Sequence, residues 1–242
     1  MPTERLGRFL ARSGVASRRG ADRLLGEGRV SVNGRIAPPH GLLVDPAFDL
    51  IAVDGRQLPR GLAPRRYLAL NKPMGVVSTV RDPGGRQTVM DLVQEAAGLF
   101  PVGRLDVDSR GLILLTDDGD LALRLTHPRY GVPKRYRLTV LGSVSRRQFE
   151  QLREGPILDD GPTHPLAVGV SRQSSRRTVL DVTLAEGRHR ELRRMCSVVG
   201  LALTDLVRVE IAGVRLGTQP EGSVRELSAS EVQRLQGAVA SK

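Results

Sequence analysis

The chain has one cysteine, Cys196, no tryptophan, three tyrosines and four phenylalanines in 242 residues. A lone cysteine excludes an internal disulfide and makes a structural zinc site untenable. So few aromatic rings exclude a general surface for stacking bases. No apolar run approaches the length of a membrane span, and no apolar signal segment opens the chain, so no membrane association is expected and the expected compartment is the cytoplasm. A phosphate-binding glycine loop, a dinucleotide glycine fingerprint and spaced metal ligands are also missing, so no cofactor, nucleotide or metal is expected.

Lysine is scarce as well: Lys72, Lys134 and Lys242 are three of 37 basic residues, against 26 acidic ones, for a net charge of +11. Arginine suits bidentate phosphate contacts and stacking on bases. The excess charge points to a polyanion, and RNA fits it better than an anionic membrane surface, because no amphipathic anchor accompanies it. With 40% hydrophobic residues and 27 glycines, the composition is that of a globular protein. Its length suffices for one small and one medium domain.

The most informative stretch is Pro101–Thr116. A Gly-Arg-Leu-Asp turn, Gly103–Asp106, leads into the apolar run Leu112–Leu115, which reads as a strand buried on both faces. Asp106 thus stands at the mouth of a core strand beside the cation Arg104. A carboxylate there either caps its own turn or carries chemistry from a rigid support. Pro101–Asp106, Gly111–Thr116 and Asp118–Ala122 together resemble the catalytic motif of the RsuA/RluB-type pseudouridine synthases. The resemblance puts the family's catalytic aspartate at Asp106.

Earlier in the chain, Leu6, Phe9 and Leu10 share one helical face, with Arg5, Arg8 and Arg12 on another. Ser17 is placed to cap a second helix that turns Ala21, Leu24 and Leu25 inward and Arg19 and Arg23 outward. Gly28–Gly34 and Leu50–Gly55 read as short strands ending in Asn-Gly and Asp-Gly turns. Arg5-Leu6 through Gly14, Ser17–Arg19, Gly28–Val30, Val32–Gly34 and Val53–Gly55 resemble the S-four RNA-binding module. That resemblance implies an RNA-binding surface of Arg5, Arg8, Arg12, Arg18, Arg19, Arg23 and Arg29 on residues 1–60. Residues 57–66 read as a linker, and residues 61–242 as the catalytic domain.

That domain is expected to open with a strand, Tyr67–Leu70, stopped at Lys72-Pro73, and a second strand, Gly75–Val80; both resemble the family's Asn-Lys-Pro-x-Gly element. A helix is expected from Thr88 through Val89, Leu92, Val93 and Ala96, and another over Asp120–Thr126, ended by His127-Pro128. Lys134–Val140 alternates as a strand with Tyr136, Leu138 and Val140 on one side. Ser145–Gln148 forms a capping box, and Val179–Leu184 a further strand. Leu192, Met195, Cys196 and Val199 make a helical stripe that leaves Arg190, Arg193 and Arg194 on its flanks. The family's Lys-x-Tyr pattern, matched by Lys134 and Tyr136, implies that Tyr136 lies against the target base. The resemblance further implies an ion pair between Arg193 and Asp106, and Leu206, in Leu206-Val207-Arg208, packing under the base. Arg104, Lys134, Arg190, Arg194 and Leu206 are the expected substrate-binding residues. His189 is assigned no catalytic role, and Leu227–Val232 resembles the family's closing capped helix.

The implied reaction breaks a uridine's glycosidic bond and rejoins the uracil through carbon 5, with no redox change and no added atom. The uridine must first be extruded at a cost of about a few kcal/mol and caught by a ring, for which Tyr136 is the candidate. The expected fold is α+β: a small basic module, then a mixed, mostly antiparallel sheet with flanking helices. The expected enzyme is a monomer acting on ribosomal RNA or an assembling ribosomal subunit. Tyr67–Pro73 and Gly155–Pro165 resemble the RluB-like branch that acts on 23S rRNA. The alternatives are an RsuA-like 16S rRNA synthase and, from another class, a non-catalytic RNA-binding or assembly factor. Reading Asp106, Asp108, Asp117, Asp118 and Asp120 as a metal site fails on calcium-loop spacing.

Overall fold

The computed structural model of the protein describes residues 3–59 and 64–240. The chain forms two compact units. One comprises the chain up to Arg66 with residues 95–100 and 116–118; the other is Tyr67–Gln94, Pro101–Leu115 and the chain from Gly119 onward. Positions 60–63 of the expected linker, and with them the expected boundary between residues 60 and 61, lie outside the described residues.

The first unit runs β1 (Glu4–Arg5), α1 (Leu6–Arg12), α2 (Arg18–Gly26), β2 (Val30–Val32), β3 (Arg35–Ile36), β4 (Leu43–Val44), β5 (Ile51–Val53) and β6 (Arg56–Gln57). Ser17 Oγ accepts from Gly20 N at 3.1 Å, so the expected cap starts α2. Asn33-Gly34 and Asp54-Gly55 both turn with positive φ at each residue, the geometry that two-residue hairpins demand. Leu6, Phe9, Leu10, Ala21, Leu24 and Leu25 from the helices bury against Val30, Val44, Ile51 and Val53.

The second unit contains β7 (Tyr67–Lys72), β8 (Phe100–Val102) and β9 (Arg110–Thr116) apart from their end residues Phe100 and Thr116, α3 (Gly119–Thr126), β10 (Lys134–Leu141), α4 (Arg146–Glu154), β11 (Ile157–Leu158) and β12 (Gly161–Pro162). It continues with β13 (Ala167–Gln173), β14 (Arg177–Leu184), α5 (Glu191–Val198), β15 (Leu203–Ile211), β16 (Val214–Arg215), β17 (Val224–Glu226) and α6 (Ala229–Ala240). The large sheet runs β13-β14-β10-β15-β9-β7-β17, and its β15–β9 pairing is parallel, while β10 pairs antiparallel with both β14 and β15. The architecture is α+β. Ser145 and Gln148 form the expected box at α4, with Ser145 N donating to Gln148 Oε1 at 3.1 Å. Ser228 and Glu231 do the same at α6. Leu138 and Val140 of β10, Leu152 of α4 and Leu192, Met195 and Cys196 of α5 share one core, so α4 and α5 cover the same face of the sheet. Burial pushes the Cys196 thiol up to about 12, which removes it as a nucleophile.

Two sequence expectations are corrected. Gly75–Val80 forms no strand: Val77 makes a single bridge to Thr88, and Ser78 spends its hydroxyl on Leu105. The helix expected from Thr88 is only the short 3-10 segment Val89–Leu92. Thr88 N does donate to Asp91 Oδ2 at 2.7 Å, but Val93 is already extended and Glu95 has φ +52°, so the turn cannot propagate.

Gly111 opens β9 with φ +106°, and a β-carbon there would lie 2.7 Å from Arg208 N on β15. The parallel contact of β9 and β15 therefore requires glycine. Gly111→Ala is expected to cost about 3 kcal/mol of stability, measured as a drop in the denaturation midpoint. An unchanged midpoint would refute this account of the junction.

Candidate active site

The turn Leu105–Ser109 is fixed through its backbone at every residue. Ser78 Oγ accepts from Leu105 N at 3.1 Å and donates to Leu105 O at 2.9 Å. Ser109 N donates to Asp106 O at 3.1 Å, and Gly75 N to Val107 O at 2.8 Å. Arg193 Nη2 donates to Asp108 O at 2.8 Å and to Ser109 Oγ at 3.1 Å. Lys72 Nζ donates to Ser109 O at 2.7 Å and to Pro73 O at 2.9 Å.

A cavity of about 270 Å³ opens beside this turn and brings together Asp106, Arg104, Tyr136, Arg190, Arg193 and Leu206. Leu105 and Leu184 add apolar wall, and Glu191 and Arg188 complete the polar side. Tyr136 and Leu206 come from neighbouring strands and belong to the same buried core as Leu105. The half-buried Asp106 carboxylate makes no hydrogen bond or ion pair among the described residues. It acts through space on two cations, Lys72 and Arg190.

The implied Arg193–Asp106 ion pair is not what the geometry gives. Arg193 pairs with Asp108 at 3.2 Å, and Arg190 pairs with the same carboxylate at 3.0 Å. Burial works against the Asp108 charge, but the Arg190 hydrogen bond and both guanidinium charges hold its carboxyl below the usual range. The turn presents this second acid, with its own carbonyl, to the start of α5, and Arg193 Nη2 is engaged there, while its buried Nε has no hydrogen-bond partner among the described residues. Two expected substrate residues lie apart from the cavity lining: Lys134 donates to Val132 O at 3.1 Å, and Arg194 is taken up by Asp159 at 2.5 Å and Asp160 at 2.9 Å. In the first unit Arg12 is tied to Glu4, and Arg29 to Asp54 at 2.6 Å and Glu27 at 3.0 Å. Arg23 lies 3.8 Å from Glu27, and Arg8 4.0 Å from Glu4. Arg5, Arg18 and Arg19 are exposed, and Arg5, Arg8 and Arg18 line a separate concavity with His40.

Three buried charged residues were not anticipated as parts of the site. Lys72 has no exposed surface, and burial pushes its ammonium down to about 8 against the pull of Asp108 and Asp106. Arg208, 3% exposed, donates to Leu112 O at 2.7 Å and Arg104 O at 3.3 Å, tying β15 to both ends of the Asp106 turn. Glu191, also 3% exposed, accepts from Arg188 N at 3.0 Å. Burial, with Glu186 beside it, pushes the Glu191 carboxyl up to about 7. The neutral form donates to Glu186, which Arg188 holds at 3.0 Å. The sequence carried a hint of the first two, in Asn71-Lys72-Pro73 and Leu206-Val207-Arg208, but nothing marked Glu191 as buried.

The Glu191 shift has a definite sign. Its folded pKa lies above the ordinary 4.5, so the native state binds the extra proton, and stability is lost as pH rises from about 4.5 through about 7. Glu191→Gln keeps a neutral donor to Glu186 and removes that titration. The melting temperature of the variant relative to wild type is expected to climb between pH 5 and pH 8, on the order of a few degrees. A difference independent of pH would refute the shared proton.

The RNA pseudouridylate synthase family model matches residues 66–198, and the S4 domain model residues 4–39. An uncharacterized RNA pseudouridine synthase of Mycobacterium tuberculosis is 44% identical over 241 residues, covering 97% of this chain and 94% of the relative. The ribosomal large subunit pseudouridine synthase B of Bacillus subtilis is 38% identical over 238 residues, covering 96% and 95%. A crystal structure of a pseudouridylate synthase superposes with a TM-score of 0.64 at 30% identity, over 96% of this chain and 99% of that one. With an aspartate that has no hydrogen-bond or ion-pair partner among the described residues lining one cavity with a tyrosine and a leucine, and these relatives matching nearly end to end, the chain belongs to the RNA pseudouridylate synthase family.

Proposed function

We propose that this synthase isomerises a uridine of large-subunit ribosomal RNA with Asp106 as its catalytic residue. The observation that carries the catalytic assignment is the meeting, in one cavity, of a carboxylate without a partner among the described residues and a buried ring, Tyr136. The substrate assignment rests on the B-type large-subunit synthases of Bacillus subtilis and Salmonella typhimurium, 38% and 37% identical over nearly the whole chain. The enzyme acts as a monomer in the cytoplasm and uses no nucleotide or other cofactor.

In this reading the extruded uracil stacks on Tyr136 and rests on Leu206, with the sugar toward Asp106. The backbone clamps on the turn hold the carboxylate in place before the substrate arrives, so little ordering remains when the glycosidic bond breaks. Lys72 and Arg190 supply the positive field around the anion. Arg193 acts as a positioning residue through Asp108 and Ser109. Arg104, exposed at the rim, meets the RNA backbone, with Arg190 beside it. Lys134 and Arg194 keep structural parts.

Asp106→Asn is expected to abolish pseudouridine formation while leaving melting and RNA affinity nearly unchanged. Tritium release from uridine labelled at carbon 5, run beside a binding titration, measures both. Activity within about tenfold of wild type would remove Asp106 as the essential group. Mapping pseudouridines in ribosomal RNA from cells lacking the protein tests the substrate: a missing modification in small-subunit RNA would overturn the large-subunit assignment.

Residues 1–60 are proposed as a separable RNA-binding module, with Arg5, Arg8, Arg18, Arg19 and Arg23 meeting phosphates and Arg12 and Arg29 bracing them. Their self-contained core supports this. Removing them is expected to leave a cooperatively melting protein that binds structured ribosomal RNA more weakly and with a shallower salt dependence. Aggregation or a non-cooperative melt would refute the boundary.

A further inference from the structure

We propose that five arginines at the far end of the catalytic sheet form a contact surface for the RNA backbone beyond the cavity and in addition to the amino-terminal arginines. They are Arg146 and Arg147 on the first turn of α4 and Arg172, Arg176 and Arg177 around the β13–β14 turn. The proposal rests on RNA being the substrate, which the family supplies.

Strand register brings the two groups to one end of the sheet. Leu141, the last residue of β10, pairs with Arg177, and Gly142 N donates to Arg176 O at 2.8 Å. Thr178 Oγ1 donates to Gly142 O at 2.8 Å, and three residues later Ser145 caps α4. The turn is closed by its own serine: Arg177 N donates to Ser174 Oγ at 3.2 Å, and Ser174 Oγ to Arg177 O at 3.0 Å. All five side chains belong to exposed residues held on ordered backbone.

Charge pairing separates these arginines from their neighbours. Arg135 pairs with Glu210 at 3.0 Å, Arg137 with Asp181 at 3.4 Å and Arg153 with Glu150 at 2.6 Å. Arg188, Arg190, Arg193 and Arg194 all have acidic partners too. Among the described residues none of the five has one. Arg146 and Arg147 also stand in a first helical turn without an acid, where the helix dipole disfavours cations, so helix stability does not account for them. Five uncompensated guanidinium groups on one end of a sheet complement a row of phosphates.

The placement fits a substrate already held by the cavity. Tyr136 and Leu141 are five residues apart on β10, about 17 Å at strand spacing. α4 lies on the same sheet face as Tyr136 and α5. An RNA helix flanking the extruded uridine can therefore reach the patch, and the patch would select for substrates with structure on that side.

The test uses the full chain and a fluorescent RNA hairpin of generic sequence with a stem of about 16 base pairs, titrated by anisotropy across a salt series. R172A/R176A/R177A is expected to weaken binding at least about tenfold and to flatten the log K against log salt slope by about 2. R146A/R147A is expected to do the same to a lesser degree, and R172K/R176K/R177K to keep the wild-type slope. On a large-subunit rRNA transcript the alanine triple is expected to raise KM with kcat unchanged. A triple that melts like wild type and keeps its affinity and slope would overturn the proposal. So would a triple that loses binding only to anionic phospholipid vesicles, which would assign the patch to a membrane surface. The affinity and the salt slope are binding measurements on a generic hairpin, so they stand or fall separately from the identity of the modified uridine, whereas the KM arm rests on it.

Discussion

The backbone of the five-residue turn Leu105–Ser109 is held by different parts of the unit at its start, middle and end, and by its own Ser109 at Asp106. Ser78 holds its start, Gly75 its middle, and Arg193 and Lys72 its end. Each bond alone contributes about 1 kcal/mol, but together they leave the turn no alternative conformation. The consequence is that Asp106 is positioned through its main chain, and its carboxylate needs no partner of its own. A carboxylate locked by a bidentate arginine would be equally well placed but already engaged. Here the role of engaged acid falls to Asp108, which takes both Arg190 and Arg193. Two acids two residues apart thus do different work: one fastens α5 to the turn, and the other faces the cavity.

The same division runs through the arginines, and it changes what a net charge of +11 means. Cations near the cavity are mostly consumed in structure. Arg188 is bonded to Glu186 and Asp160 and to the carbonyls of Gly161 and Pro162, which anchors the β11–β12 hairpin. Arg110 bridges Asp205 at 2.6 Å and Glu221 at 2.8 Å. The charge left for a polyanion lies where acids are missing, and it includes Arg5, Arg18 and Arg19 of the first unit, Arg104 at the cavity rim and the far end of the large sheet of the second.

How much of this was legible in the sequence depended on whether the cause was local. The alternation Tyr136, Leu138, Val140 reports a strand with one buried face, and β10 has it. The stripe Leu192, Met195, Cys196 fixes the buried side of α5 and leaves Arg193 at its edge, which is where the cavity lies. Capping serines are equally local. That Lys72, Arg208 and Glu191 are buried was not legible, even where a motif marked the first two, because a buried charge is tolerable only when distant groups are in place to receive it. Lys72 depends on Ser109, 37 positions away, and Arg208 on Leu112, 96 positions away. The strand expected over Gly75–Val80 failed for the same reason, since its hydrogen-bonding groups are claimed by Leu105 and by residues near Thr88.

The loop before α5 shows where such distant support is needed most. Arg190, the residue that starts the helix and reaches Asp108, has φ +49°, a left-handed conformation that costs a non-glycine residue about 1–2 kcal/mol. A helix of eight residues cannot impose that on its own first turn. Glu191 accepts from Arg188 N, folding the chain back over the bend, and its proton binds it to Glu186, which Arg188 also grips. The strained backbone of Arg190 is therefore flanked by a ring of Arg188, Glu186 and Glu191, in which Arg188 N donates to Glu191 and the Arg188 guanidinium to Glu186. One wall of the cavity rests on that ring, and the opposite wall rests on the clamped turn. The two walls are joined where Arg190 and Arg193 close on the Asp108 carboxylate and Arg193 also reaches Ser109, so the spacing across the cavity is set there.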